Sequence, residues 1–198
     1  MYIHGYASTG NATKAQTLKA MFPDCNVVSP TFDYNNTPPD AIQQQIARLV
    51  AENDVRMMVG SSFGGYHALC ATLAFEGIVW CINPVHDVIG TLHNILPTLS
   101  NEFFKERTAG LDASMLKSQQ TKMLQAYAEF DHRVFQQLPR RERQLNFALS
   151  RHDEVLGDYT HLLNIFNNVD HVVWSETSTH HFEAFVELKE SMAQTLAR

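Results

Sequence analysis

The sequence predicts an α/β fold: a compact, mostly parallel sheet of about six strands with helices on both faces. Three observations predict it. Strand-like and helix-like runs alternate along most of the chain. Ile78–Ile82 is apolar without interruption, the pattern of a strand buried on both faces. A Gly-x-Ser-x-Gly turn, Gly60-Ser61-Ser62-Phe63-Gly64, joins a strand directly to a helix. With 198 residues, 44% of them hydrophobic, the chain is long enough to form one domain (residues 1–198) around a packed core.

Met1–Ile3 reads as a short first strand. Ala12–Phe22 sets Ala15, Leu18 and Met21 or Phe22 at helical spacing, and Pro23 stops the run. Asn26–Ser29 reads as a second short strand. Asp40 is placed to cap a helix with Ile42, Ile46 and Leu49 or Val50 on its apolar face. Val55–Val59 is the strand before the glycine-flanked serine, and Tyr66–Phe75 is the helix after it. Ile78–Ile82, Gln144–Leu149 and His171–Trp174 complete the six strands. Val155–Phe166 and Phe182–Leu196 are the last helices. The rhythm breaks from about residue 84 to 143, where the apolar residues are spaced as in helices. Such an insertion, leaving the sheet after one strand and returning before the next, is placed to be a lid. Phe103, Phe104, Tyr127 and Phe130 are then expected to face an acyl pocket. A plain packing subdomain is the alternative.

Composition narrows the partners. A net charge of −6 and the lack of a basic run interleaved with aromatics argue against nucleic acid. No apolar run approaches the ~18 residues of a membrane span, and no signal peptide is visible. Cys25, Cys70 and Cys81 are scattered and odd in number, and the last two lie in apolar runs. The expected location is the cytoplasm, where thiols stay reduced. No metal site is expected, because no His-Glu-x-x-His or cysteine pair occurs.

The glycine-flanked turn is the feature with chemistry in it. Between a strand and a helix it forms a nucleophile elbow, which lifts the Ser62 hydroxyl above the sheet edge. A serine hydroxyl needs a histidine to take its proton and an acid to orient that histidine. In this kind of fold they follow in the order Ser, Asp or Glu, His, from loops after strands. Asp153, just past the strand ending at Leu149, is the expected acid. Its alternative role is a helix cap, and Glu154 and Asp158 are its competitors. His180, between the last strand and the last helix, is the expected base, with His181 its neighbour and rival. His67, His93, His132 and His161 fall in helical patterns and read as surface or boundary residues. Two backbone N–H groups must hold the oxyanion. Phe63, directly after the nucleophile, and Tyr6, after His4-Gly5, are the candidates.

Five segments occur in this order: Tyr2-Ile3-His4-Gly5-Tyr6-Ala7-Ser8, Val59-Gly60-Ser61-Ser62-Phe63-Gly64-Gly65-Tyr66, Ile82-Asn83-Pro84, Asp153-Glu154-Val155-Leu156 with Asp158-Tyr159, and Thr179-His180-His181-Phe182. Together they resemble the small bacterial esterases of the YqiA/YcfP type, a compact branch of the α/β-hydrolases. The resemblance runs end to end except in the middle helices. It implies a six-stranded parallel sheet, nucleophile Ser62, acid Asp153 and base His180, and esterase or thioesterase activity without a cofactor. Where that family usually has Gly-Asn-His, this chain has Ser-Thr-His-His. The expected function is a serine hydrolase of small acyl esters or thioesters. A hydrolase of peptide or C–C bonds, or a non-catalytic binding protein on the same scaffold, is the alternative.

Overall fold

The structure, a computed structural model, describes residues 1–95, 113–134, 137–138, 145–169 and 171–197. Among these residues five strands form one parallel sheet: β1 (Tyr2–Ile3), β2 (Met57–Ser61), β3 (Ile78–Ile82), β4 (Leu145–Ser150) and β5 (His171–Ser175). Their order in space is their order in sequence, so every connection crosses over the sheet through a helix or loop. The register sets Gly60 beside Cys81 and Ser61 beside Ile82, Ile82 beside Ala148, and Ser150 beside Ser175. The ends of four strands therefore share one edge.

The helices are α1 (Thr13–Met21), α2 (Pro39–Asn53), α3 (Phe63–Ala71), α4 (Val88–Ile95), α5 (Ala113–Val134), α6 (Thr160–Ile165) and α7 (Lys189–Leu196), with a 3₁₀ turn at Glu183–Leu188 before α7. Alternation along the strands sorts them into two layers. Ile3, Met58, Val79, Cys81 and Phe147 face a core shared with Ile42 and Ile46 of α2, the apolar length of α3, Tyr127 and Phe130 of α5, and Leu162 of α6. Tyr2, Val59, Trp80, Ile82 and Ala148 face the other way. They pack on Ala15, Leu18 and Met21 of α1 and on Phe182, Phe185, Leu188 and Met192. Trp80 Nε1 donates to Thr195 Oγ1 (3.1 Å), pinning α7 to the middle strand.

Several expected elements change at their ends for local reasons. Asn26–Ser29 is not a strand. β1 has only two residues, and its edge offers this segment one ladder bond, Tyr2 N to Val28 O (2.8 Å). Asp40 does not cap α2; Pro39 takes the first helical position, where its missing N–H costs nothing, and Asp40 sits in the first turn. The run from Val155 becomes helical only at Thr160. The Asp153 carboxylate takes the Val155 and Leu156 N–H groups in a turn, and Gly157 follows at φ 69°. Phe182, at φ 49°, starts no α-helix; the chain passes through the 3₁₀ turn first.

The insertion between β3 and β4 is helical where described, as α4 and α5. Tyr127 and Phe130, expected in an acyl pocket, are instead buried in the α2–α3 core. Phe103 and Phe104 lie outside the described residues. His67, expected near the surface, is wholly buried. It fits there because both ring nitrogens are bonded: Gln43 Nε2 donates to Nδ1 (3.0 Å), which leaves Nε2–H to donate to the Tyr127 hydroxyl (2.8 Å). No helix among the described residues is long and apolar enough to cross a membrane.

Candidate active site

The elbow is built by exclusion of side chains. A Cβ on Gly60 would lie 2.2 Å from Gly64 O, and one on Gly64 would lie 2.2 Å from Ile3 O. Only hydrogens fit at these two positions, so β2, β1 and α3 can meet as closely as they do. Ser62 between them stands at φ 55° and ψ −119°, a backbone state that costs a non-glycine residue about 1–3 kcal/mol. The strain is held by Tyr66 N and Val85 N donating to Ser62 O (3.1 Å each) and by Ser62 N donating to Ile82 O (2.9 Å). α3 starts at the next residue, Phe63, so its first amides gather beside the Ser62 side chain.

His180 arrives from the loop after β5. Its Nδ1 lies 2.9 Å and 3.0 Å from the two Asp153 oxygens, and its Nε2 lies 2.9 Å from Ser62 Oγ. A carboxylate can only accept, so Nδ1 carries the hydrogen. Nε2 then presents its lone pair to the Ser62 hydroxyl, which donates to it. The structure thus brings together Ser62, Asp153 and His180, the three residues expected from the loops. Asp153 does not cap a helix, its alternative role, because the helix starts only at Thr160; it closes a turn instead. Oδ1 accepts from Val155 N (2.9 Å) and Leu156 N (2.8 Å), and Oδ2 from the Tyr159 hydroxyl (2.5 Å). Burial pushes its pKa up, but the hydrogen bonds from His180, Tyr159 and Leu156 outweigh burial and hold it below the usual carboxylate value.

The competitors have other partners. Glu154 Oε2 accepts from the His180 backbone N–H (3.0 Å), so it steadies the loop instead of the ring. Asp158 is exposed and bonds Thr160. His181 is exposed, with its ring 6.3 Å from that of His180. Of the two amides expected to hold an oxyanion, that of Phe63 opens α3. Tyr6 follows Gly5, whose Cβ position is 3.8 Å from Ser62 Oγ, and the Tyr6 ring meets Phe63 edge-on at 5.6 Å.

Sequence reasoning missed Asn83. Its side chain is buried at the end of β3 with its backbone at φ 40°. Oδ1 accepts from Ser150 N (2.8 Å). Nδ2 faces Ser150 Oγ (2.9 Å), Thr179 O (3.1 Å) and His180 O (3.1 Å). One amide therefore ties the ends of β3 and β4 to the loop that carries His180. Ile82-Asn83-Pro84 is one of the segments that carry the resemblance, but an Asn between an apolar strand and a proline reads equally well as a turn and received no role.

A cleft of about 1110 Å³ opens at Ser62 and His180. Its described walls come from the β1–α1 loop, the start of α1, the Glu154–Val155 turn and the 3₁₀ segment. No cluster of His, Cys, Asp and Glu suited to a metal occurs among the described residues.

The model of the family described as "Uncharacterised protein family (UPF0227)" matches residues 1–196. The chain belongs to UPF0227. This is the YcfP/YqiA type that the sequence resembles. No curated protein matches this UPF0227 chain. Solved structures do. A hydrolase from Pseudomonas aeruginosa is 15% identical at TM-score 0.64, over 100% of this chain and 89% of its own. Alpha/beta hydrolase domain-containing protein 10 from mouse is 14% identical at 0.60, over 99% and 88%. A monoacylglycerol lipase from Paleococcus ferrophilus is 10% identical at 0.60, over 98% and 92%. At such identities the likeness is one of fold, and the fold of this UPF0227 member is that of the α/β-hydrolases.

Proposed function

We propose that the protein is a serine hydrolase that cleaves carboxylic esters or acyl thioesters, with Ser62 as nucleophile, His180 as base and Asp153 as the acid that orients it. The observation that carries this reading is the hydrogen-bonded chain from Ser62 Oγ through the His180 ring to Asp153, with each bond at 2.9–3.0 Å. Ser62 gives its proton to His180 Nε2 as its Oγ attacks the acyl carbon. The ionised Asp153 stabilises the imidazolium that forms. The oxyanion is held by the Phe63 and Tyr6 amides, at the start of α3 and beside Gly5. His180 then protonates the leaving alcohol or thiol, and a water activated by the same ring releases the acid. No cofactor enters these steps. The free thiols of Cys25, Cys70 and Cys81 support a cytoplasmic location.

The test is a panel of nitrophenyl esters and acyl-CoA thioesters run on wild type and Ser62→Ala, with fluorophosphonate labelling alongside. One labelled serine, lost in the alanine variant together with turnover, is expected. The fall in kcat should be on the order of 10⁶-fold, the scale of losing the nucleophile in subtilisin. Labelling at Ser61, or full turnover by the variant, would overturn the assignment.

A further inference from the structure

Among the described residues, the cleft beside Ser62 contains one lysine, which the proposed chemistry does not use. Lys14, at the start of α1, lines the same cleft as Ser62 and His180 and is only partly exposed. Its ammonium has no hydrogen bond, and no carboxylate within 4 Å, among the described residues. Removal from water lowers its pKa, and the more distant Glu183 only partly offsets this. The carboxylates in the cleft are engaged by the His180 loop. Glu183 uses both oxygens on Thr179, taking its N–H (2.8 Å) and its hydroxyl (2.6 Å), and Glu154 takes the His180 N–H (3.0 Å). The remaining wall is largely apolar. Val155 (41% exposed) and Val186 (59% exposed), the two most exposed large hydrophobic residues among those described, both border it.

A partly buried ammonium with no hydrogen bond or ion pair among the described residues, in a cleft that opens on a nucleophile, is matched by an anion on the substrate. We infer that this hydrolase selects substrates that carry one carboxylate away from the scissile bond, and that Lys14 binds it. The inference rests on the serine hydrolase reading and adds the class of substrate. A single negative charge fits better than a phosphate dianion, because the cleft already contains Glu154 and Glu183. Lysine suits the task as a point charge on a flexible stem that can follow acyl groups of different length.

The experiment uses matched ester pairs: the nitrophenyl half-ester of glutaric acid against its methyl ester for the acyl side, and acetoxybenzoate against its methyl ester for the leaving side. An ammonium-tailed nitrophenyl ester completes the set. In wild type, one acid partner is expected to have the higher kcat/KM. Lys14→Met should lower the acid-to-neutral ratio by about 10–100-fold, the scale of one charge-assisted hydrogen bond, and Lys14→Arg should largely restore it. Equal ratios in wild type and Lys14→Met on both sides, or preference for the ammonium ester, would overturn the inference and leave the hydrolase standing. If no ester is cleaved and no fluorophosphonate label is taken, the hydrolase reading fails, and this inference fails with it.

Discussion

Asp153 holds one oxygen on two backbone amides and the other on a tyrosine hydroxyl, and presents both to His180. An Asn at 153 would keep the shape but could not accept at both oxygens, so the imidazole would lose its fixed tautomer. Asp153→Asn is expected to lower kcat on the order of 10⁴-fold, measured on the best ester of the panel. Asn83 acts at one remove, as a positioning residue for the His180 loop. Asn83→Gly keeps the freedom its positive φ requires and deletes the amide. We expect kcat to fall about 10²-fold with KM little changed, because the loop holding His180 loses its tie while the cleft keeps its walls. A variant that melts earlier but turns over normally would reduce Asn83 to a structural role.

Among the described elements, the 3₁₀ turn borders the cleft, and Tyr127 and Phe130 of α5, expected there, lie in the core. α5 buries Tyr127 against Phe63 (ring centroids 5.0 Å apart) and bonds it to His67, one layer behind the nucleophile. The 3₁₀ segment instead sets Phe185 and Val186 on the cleft. Tyr127→Phe should lower stability by about 1–3 kcal/mol, since His67 Nε2–H is left buried without an acceptor. It should not shift acyl-chain preference. Phe185→Leu should shift the ratio of long-chain to short-chain kcat/KM, within the about 10–200-fold range of small pocket changes. Chain-length profiles and urea melts of the two variants distinguish the elements. Reversed results would move the acyl wall back to α5.

The whole molecule should be acid-sensitive, and two groups give the sign. Burial lowers the pKa of His67 to about 3, so the native state keeps it neutral. The unfolded chain binds a proton there below about pH 6.5. Stability is therefore complete above that pH and falls as pH drops towards 3, by up to about 1.4 kcal/mol per pH unit. Asp153, with its pKa depressed, adds stability above the ordinary carboxylate range, which is lost as pH falls through its native value. Both act in the same direction. Urea midpoints between pH 7 and 4 should fall steadily, and His67→Gln should flatten the upper part of that slope. A midpoint independent of pH would contradict the burial of a neutral His67.

The sequence by itself determined the elbow, because its requirements are local: two positions with no room for a Cβ, a strand before and a helix after. It also determined that Asp153 and His180 end up at one edge, because parallel strands all release their loops at the same side of the sheet. Element ends, the buried His67 and the Asn83 tie were decided by tertiary structure alone. Where a helix starts after Asp153 depends on a carboxylate that also serves His180. Whether a helical histidine is buried depends on Gln43 and Tyr127 from two other helices. Which wall forms the cleft depends on the face of the sheet each helix covers. Periodicity within a segment shows that it has an apolar face but not which partner that face will meet.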